Sequence, residues 1–324
     1  MLYPWNMRMR IAVLDDYQGV ALELADWSPL KHRADITVFR DHVAESAGVI
    51  ARLKPFDIVC VMRERTPLPR AIIDQLPNLK LIVTTAGRNA SIDMEAAKER
   101  GITVCGTPST SHGTAELTWA LILALVRNLP AESASVRSGG WQVTVGGDLE
   151  GRTIGILGFG KIGTRIAKIA SAFGMHSLAW SPNLTSEAAE RDGARLASKE
   201  QLFRDADIVT LHLVLSSRTK GIVGATELNW MKPTAYLVNT SRGPLVDESA
   251  LIEALRSRTI AGAALDVYDV EPLPKSHPFR SLENVLATPH VGFVSEAGYR
   301  VFYSGVVEDI AAWLGGSPIR VMNK

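Results

Sequence analysis

Cysteine is nearly absent: the 324 residues include two, Cys60 and Cys105. Neither belongs to a CxxC pair, and each sits in a β-branched run, DIVCVM and GITVCG. They read as buried strand thiols rather than as a disulfide or a zinc site. An excess of one charge is also lacking, since 35 Lys and Arg face 34 Asp and Glu for a net charge of +1. Both signs are interspersed with no basic stripe, which removes the usual reason to expect nucleic acid or an anionic membrane as partner. Local arginines can still bind a small anion. No apolar stretch reaches membrane-spanning length; LTWALILALV, residues 117–126, is too short. The N-terminal MLYPWNMRMR lacks the apolar core of a signal peptide, so a cytoplasmic location is expected. Low-complexity tracts and short repeats do not occur. Asp15 and Asp16 follow the first apolar run without a His or carboxylate cluster nearby, so they read as turn residues and no metal is expected.

What is present is ordinary globular composition, 46% hydrophobic and 21% charged, in a chain long enough for two cores. Short β-branched runs alternate with longer helical patterns, the mark of parallel sheets covered by helices. One set comprises RIAVL (10–14), DITVF (35–39), DIVCV (57–61), KLIVT (80–84) and ITVC (102–105). The other comprises TIGIL (153–157), HSLAW (176–180), DIVTLH (207–212), AYLVN (235–239), AGAALD (261–266) and NVLAT (284–288). Two sets predict two α/β domains joined near GTPSTSHGTAE, residues 106–116. The apolar helix that follows, Ala115 to Val126, is either buried all round or packed on a partner, and it is the reason to expect a homodimer. A last helical pattern, Ser295 to Leu314, comes after the second sheet and can return to the first domain.

After TIGIL stands Gly158-Phe159-Gly160-Lys161-Ile162-Gly163, opening a helix to about Phe173. A GxGxxG between strand and helix is a dinucleotide fingerprint. Gly158 permits the tight turn, Gly160 the approach of a pyrophosphate and Gly163 close helix–strand packing. The amides and dipole of the helix start bind the phosphates. The acidic residue usual at the end of the next strand is lacking: Ser181 stands there, and Pro182 to Ser186 contain no arginine. Without a carboxylate to repel a 2′-phosphate, both NAD and NADP are expected to be accepted.

Arg242 follows AYLVN, Asp266 ends AGAALD with Glu271 after it, and His290 follows NVLAT. These are the fourth, fifth and sixth strands of their set, and ligands in open α/β sheets bind beyond the carboxyl ends of strands. The set suits carbonyl reduction. Arg242 can clamp a carboxylate and polarise the neighbouring keto oxygen. His290 can protonate that oxygen, and Glu271 can favour and orient the imidazolium.

With GILGFGKIG, VNTSRGPLVDESAL, AALDVYDVEP and ATPH, and with LPNLKLIV, RGITV and TAELTWALILALVR earlier, the chain resembles the D-isomer-specific 2-hydroxyacid dehydrogenases over nearly its whole length. The resemblance implies a fold of two parallel-sheet domains, Rossmann-like and flavodoxin-like, with the substrate domain discontinuous. Residues 1–108 and 295–324 would form the substrate domain and 109–294 the dinucleotide-binding Rossmann domain. It implies an NAD- or NADP-dependent oxidoreductase acting on a small 2-keto or D-2-hydroxy acid, usually a homodimer. It also implies that Arg242, Glu271 and His290 are catalytic and that Asp266 lies near the nicotinamide. Phe159, Lys161, Ile162, Leu213, Val214, Thr240 and Ser241 join the glycines and Ser181 as cofactor contacts. Substrate contacts fall on Arg63 and on the turn Ala86-Gly87-Arg88-Asn89. Two departures stand out: Arg88 where glycine is common, and Val214 for the usual proline. Arg63, Glu64, Arg65 and Arg88 form either an anion pocket or a salt-bridge cluster. His112 reads as a surface or capping residue, and His212 as a packed structural one. A rival from another class is a dinucleotide-sensing, corepressor-like binding protein on the same fold, and the full Arg/Glu/His set favours an enzyme over it. Formate dehydrogenases of the superfamily typically carry Gln where this chain has Glu271.

Overall fold

The computed structural model describes residues 8–324, so the segment read above for a signal peptide lies largely outside the described residues. The described chain forms two compact units, one from residues 8–110 and 295–324, the other from residues 111–294.

The first unit holds β1 (Met9–Val13), β2 (Ala34–Val38), β3 (Ile58–Val61), β4 (Leu81–Thr84) and β5 (Thr103–Gly106). They pair in parallel in the order β2-β1-β3-β4-β5. Every residue of β3 and β4 is buried, as a sheet covered on both faces requires. Cys60 and Cys105 lie in β3 and β5, unpaired, and burial lifts both thiols well above the ordinary range, as inert core cysteines. The helix Glu296–Leu314 belongs to this unit and is capped by Ser295, whose Oγ accepts from the Gly298 amide. Gly305 lets it close on the strand end: a Cβ there would lie 2.8 Å from that of Thr107. The tail then runs antiparallel to β5, with the Met322 amide donating to the Val104 carbonyl at 2.8 Å.

Asp15 and Asp16 depart from the expectation of simple turn residues, for both are buried. Asp15 has a left-handed φ of 56°, meets His42 Nδ1 at 3.0 Å and accepts from Thr66 Oγ1 at 2.6 Å. Asp16 accepts from the amides of Val20 and Ala21. The loop after β1 is thus held by side-chain hydrogen bonds that a surface turn would leave to water.

The second unit holds β6 (Thr153–Leu157), β7 (His176–Trp180), β8 (Arg195–Leu196), β9 (Ile208–Leu211), β10 (Tyr236–Asn239), β11 (Gly262–Leu265) and β12 (Val285–Ala287). The order is β12-β11-β10-β9-β6-β7-β8, all parallel. Strand β8 is an addition to the six expected: two residues paired with Leu178 and Ala179, too short to leave an alternating pattern. The strands carrying Arg242, Asp266 and His290 are therefore the fifth to seventh of the unit. Sequence order reverses between β6 and β9, and such a switch point opens a crevice at the carboxyl ends of the strands.

The apolar helix, His112–Val126, buries one face, with Ala115, Thr118, Trp119, Leu121, Ile122 and Val126 inside, while Leu117, Leu123 and Leu125 are half-buried. Its apolar residues share a core with Ile154, Ile156 and Ile166. Exposed apolar side chains of this unit include Trp141 at 73%, Val143 at 60% and Val145 at 96%, close together in one segment, and Val214 and Val270 elsewhere. Among the described residues, no helix is long and apolar enough to cross a membrane.

Candidate active site

The glycine-rich turn begins where β6 ends. Gly158 has φ 105°, and a Cβ on it would lie 2.5 Å from the His212 carbonyl carbon. A Cβ on Gly163 would strike the Gly158 carbonyl oxygen. At Gly160 a Cβ would meet nothing within 4 Å, so two glycines are required by packing and the third leaves an open face. The helix Lys161–Ala172 starts there and makes its first backbone bond from Thr164 to Gly160. Among the described residues, the amides of Gly160, Lys161, Ile162 and Gly163 have no partner in the protein. An open face beside unspent helix-start amides fits a dinucleotide pyrophosphate, and a Cβ at Gly160 would fill that cradle.

Beside the turn lies a cavity of about 590 Å³, lined by Phe159, Ser181, Leu213, Val214 and Arg218 among others. Ser181 Oγ accepts from the Phe159 amide at 2.7 Å. Arg218 was not anticipated. It lies far along the chain from Ser181, in the loop after β9, and the order of the sheet brings that loop to the same cavity. His212, ahead of this loop, keeps a structural place: Nε2 meets Thr210 Oγ1 at 2.9 Å, and burial holds the ring down at about 3. His112 heads its helix and is hydrogen-bonded to Arg165.

Three loops follow β10, β11 and β12, and hydrogen bonds fix each. Asn239 Oδ1 accepts from the Ser241 amide at 3.0 Å, while its Nδ2 donates to the Arg242 carbonyl at 2.9 Å. Thr240 Oγ1 meets Thr118 Oγ1 at 2.8 Å. Arg242 Nη1 donates to the Ser241 carbonyl at 2.7 Å. A Cβ at Gly243 would collide with the Tyr268 backbone, so the Arg242 loop lies directly on the β11 loop. Glu271 then bridges: Oε1 accepts from the Tyr268 amide at 2.9 Å, and Oε2 meets His290 Nδ1 at 2.5 Å. The imidazole is 20% exposed, and Nε2 has no partner among the described residues. The Tyr268 hydroxyl ties the ends of β11 and β12 by donating towards the Leu265 and Thr288 carbonyls.

Asp266, expected near the nicotinamide, is tied into the backbone of this site. Its side chain is wholly buried, and it accepts from Thr288 Oγ1 at 2.6 Å and from the amides of Val291 and Gly292, both at 2.8 Å. Burial raises its pKa despite these donors. It anchors the backbone after His290 and the Thr288 side chain before it, because an enclosed carboxylate must satisfy its oxygens internally.

In the first unit, Arg63 and the turn Ala86–Asn89 follow β3 and β4. Asn89 Nδ2 donates to the Arg63 carbonyl at 2.6 Å and to Thr84 Oγ1 at 2.9 Å, uniting the two loops. The Ala86 amide is spent on Thr107 Oγ1 at 2.8 Å. Among the described residues, the amides of Gly87 and Arg88 have no partner. Arg63 Nε lies 3.5 Å from Glu64 Oε2, and Arg65 donates to the Asp15 carbonyl and covers the Tyr17 ring. Of the arginines read as an anion pocket, Arg65 is thus turned to a structural task and Arg88 is exposed.

Residues 119–292 match the D-isomer specific 2-hydroxyacid dehydrogenase, NAD binding domain. The chain is 36% identical to the glyoxylate reductase of Thermococcus litoralis over 90% of its own length and 91% of that protein's. It is 39% identical to the D-3-phosphoglycerate dehydrogenase of Methanocaldococcus jannaschii over 83% of its own length, and spans only about half, 52%, of that protein. The structure of a phosphoglycerate oxidoreductase from Vibrio cholerae superposes with a TM-score of 0.92 at 39% identity, covering 95% of this chain and 100% of the other. With the doubly wound sheet and the glycine turn, these matches establish that the chain belongs to the D-isomer-specific 2-hydroxyacid dehydrogenases, NAD(P)-dependent oxidoreductases that move a hydride between a nicotinamide and a 2-keto or D-2-hydroxy acid.

Proposed function

We propose that this chain interconverts a small 2-keto acid and its D-2-hydroxy acid, with Arg242, Glu271 and His290 as the catalytic set. The observation that carries this reading is the 2.5 Å contact between Glu271 Oε2 and His290 Nδ1, with the other Glu271 oxygen held by the Tyr268 amide. A carboxylate on Nδ1 keeps a proton there and leaves Nε2 to exchange one with the substrate oxygen. Arg242 binds the substrate carboxylate and polarises the adjacent carbonyl. In the first unit, the family resemblance assigns substrate contacts to Arg63 and to the turn Ala86-Gly87-Arg88-Asn89. The bound nicotinamide supplies or accepts the hydride. Gly158 to Gly163 would hold the pyrophosphate, and Ser181, Leu213, Val214, Thr240 and Ser241 the rest of the cofactor. Asp266 serves as a positioning residue for the His290 loop.

In this reading residues 1–108 and 295–324 form the substrate domain and residues 109–294 the dinucleotide domain. The protein is cytoplasmic and works as a homodimer. Relatives named glyoxylate reductase and hydroxypyruvate reductase direct the substrate search towards short 2-keto acids. The test is turnover on glyoxylate, hydroxypyruvate, pyruvate, phenylpyruvate and 2-ketoglutarate with each reduced cofactor, in wild type and His290→Ala. The variant is expected to lose about 10²- to 10⁴-fold in turnover while still binding cofactor. Near-normal turnover in the folded variant would remove His290 from its role, and no turnover of any 2-keto acid by wild type would remove the substrate class.

A further inference from the structure

We propose that Arg218 and Ser181 together form a site for the 2′-phosphate of NADP, making the enzyme NADPH-selective. The inference rests on the dinucleotide reading of the glycine-rich turn. Both residues line the cavity of about 590 Å³ beside that turn, and no carboxylate lines it. Arg218 is the single cation among its described lining residues. Its guanidinium is exposed and makes no ion pair or hydrogen bond with any other described residue. A cation left unpaired beside an anion-binding turn is available to an anionic ligand.

The surrounding loop presents Arg218 in a set position. Thr219 Oγ1 accepts from the Ser216 amide at 2.8 Å and donates to the Val214 carbonyl at 2.7 Å. The Lys220 amide donates to the Ser216 carbonyl at 2.9 Å. These bonds close residues 214–220 into a compact turn with Arg218 inside it. On the other side, Ser181 Oγ is already an acceptor for the Phe159 amide, so its hydroxyl proton is left to donate. One hydroxyl donor and one guanidinium fork suit a phosphate dianion; a ribose 2′-hydroxyl would use the serine and leave the arginine idle. Where an NAD-selective site has a carboxylate that repels phosphate, this cavity has a neutral donor and a cation.

The experiment is calorimetric titration of the full-length protein with NADPH, NADH, 2′,5′-ADP and 5′-AMP, in wild type, Arg218→Ala and Arg218→Lys. Wild type is expected to bind each 2′-phosphorylated ligand more tightly than its unphosphorylated counterpart. In Arg218→Ala the preference should fall by about 10- to 100-fold, the worth of hydrogen bonds to a charged group. Arg218→Lys should restore part of it. A wild type that binds both cofactors alike, or an Arg218→Ala variant with an unchanged preference, overturns the phosphate site and leaves the dehydrogenase reading standing. Failure of wild type to bind any of the four ligands overturns the dinucleotide reading, and the phosphate site with it.

Discussion

His212 shows how one side chain couples the dinucleotide-binding unit to acidity. Burial without an acidic partner holds its ring at about 3, against about 6.5 for the exposed residue. The folded state therefore keeps the ring neutral at pH values where the unfolded chain binds a proton. Between about pH 6.5 and 3 the unfolded state holds the extra proton, so stability rises with pH across that window and is lost on acidification, by up to about 1.4 kcal/mol per pH unit. His212→Gln keeps a polar group for Thr210 Oγ1 but does not titrate. Its melting midpoint should fall less steeply than that of wild type between pH 6.5 and 4. Parallel profiles would show that the ring is protonated in the fold. Glu271 and His290 are arranged differently: a carboxylate meets the ring in a partly exposed place.

At the scale of elements, the β6–turn–helix unit separates glycines needed for packing from the one needed for binding. Ile166, Ala167 and Ala170 bury one face of the helix Lys161–Ala172, and Gly163 lets its first turn sit on β6. Gly160 touches nothing and has an ordinary φ of −98°, so alanine fits the backbone there. Gly160→Ala should shift the melting midpoint by less than about 2 °C, as surface substitutions do. Its methyl group would stand where the pyrophosphate approaches, so dinucleotide affinity should fall at least about tenfold by titration. Unchanged affinity would mean that the phosphates bind elsewhere.

For the whole molecule, the apolar helix His112–Val126 is covered by its own unit on one face, with Ala120 exposed and Leu117, Leu123 and Leu125 half-buried on the rest. The exposed apolar residues Trp141, Val143 and Val145 lie in the irregular segment after the next helix, Leu129–Arg137. Exposed apolar groups gathered along one segment are costly in water and suit association with a second copy. Sedimentation at micromolar concentration should give a dimer, and Trp141→Asp with Val145→Asp should give a folded monomer. A monomeric wild type would sink the proposed assembly.

Much of this was written in local pattern. Alternation of β-branched runs with helical stretches announced two parallel sheets, because a strand buried on both faces must be apolar throughout. The glycine fingerprint was legible because three glycines within six residues stand between a strand and a helix, although the His212 backbone that Gly158 must clear lies far along the chain. Arg242, Glu271 and His290 could be chosen because the ends of parallel strands share one edge of a sheet. Strand β8 stayed hidden because two residues carry no period. The burial of Asp266 was not legible, because sequence shows the type of a side chain and not the three donors that enclose it. The burial of Asp15 and Asp16 was hidden for the same reason. Arg218 could not be found by looking near Ser181 along the chain. Only the sheet order, with β9 beside β6 and β6 beside β7, brings the two loops to one cavity, because the neighbours of a parallel strand are set by crossover connections and not by proximity in sequence.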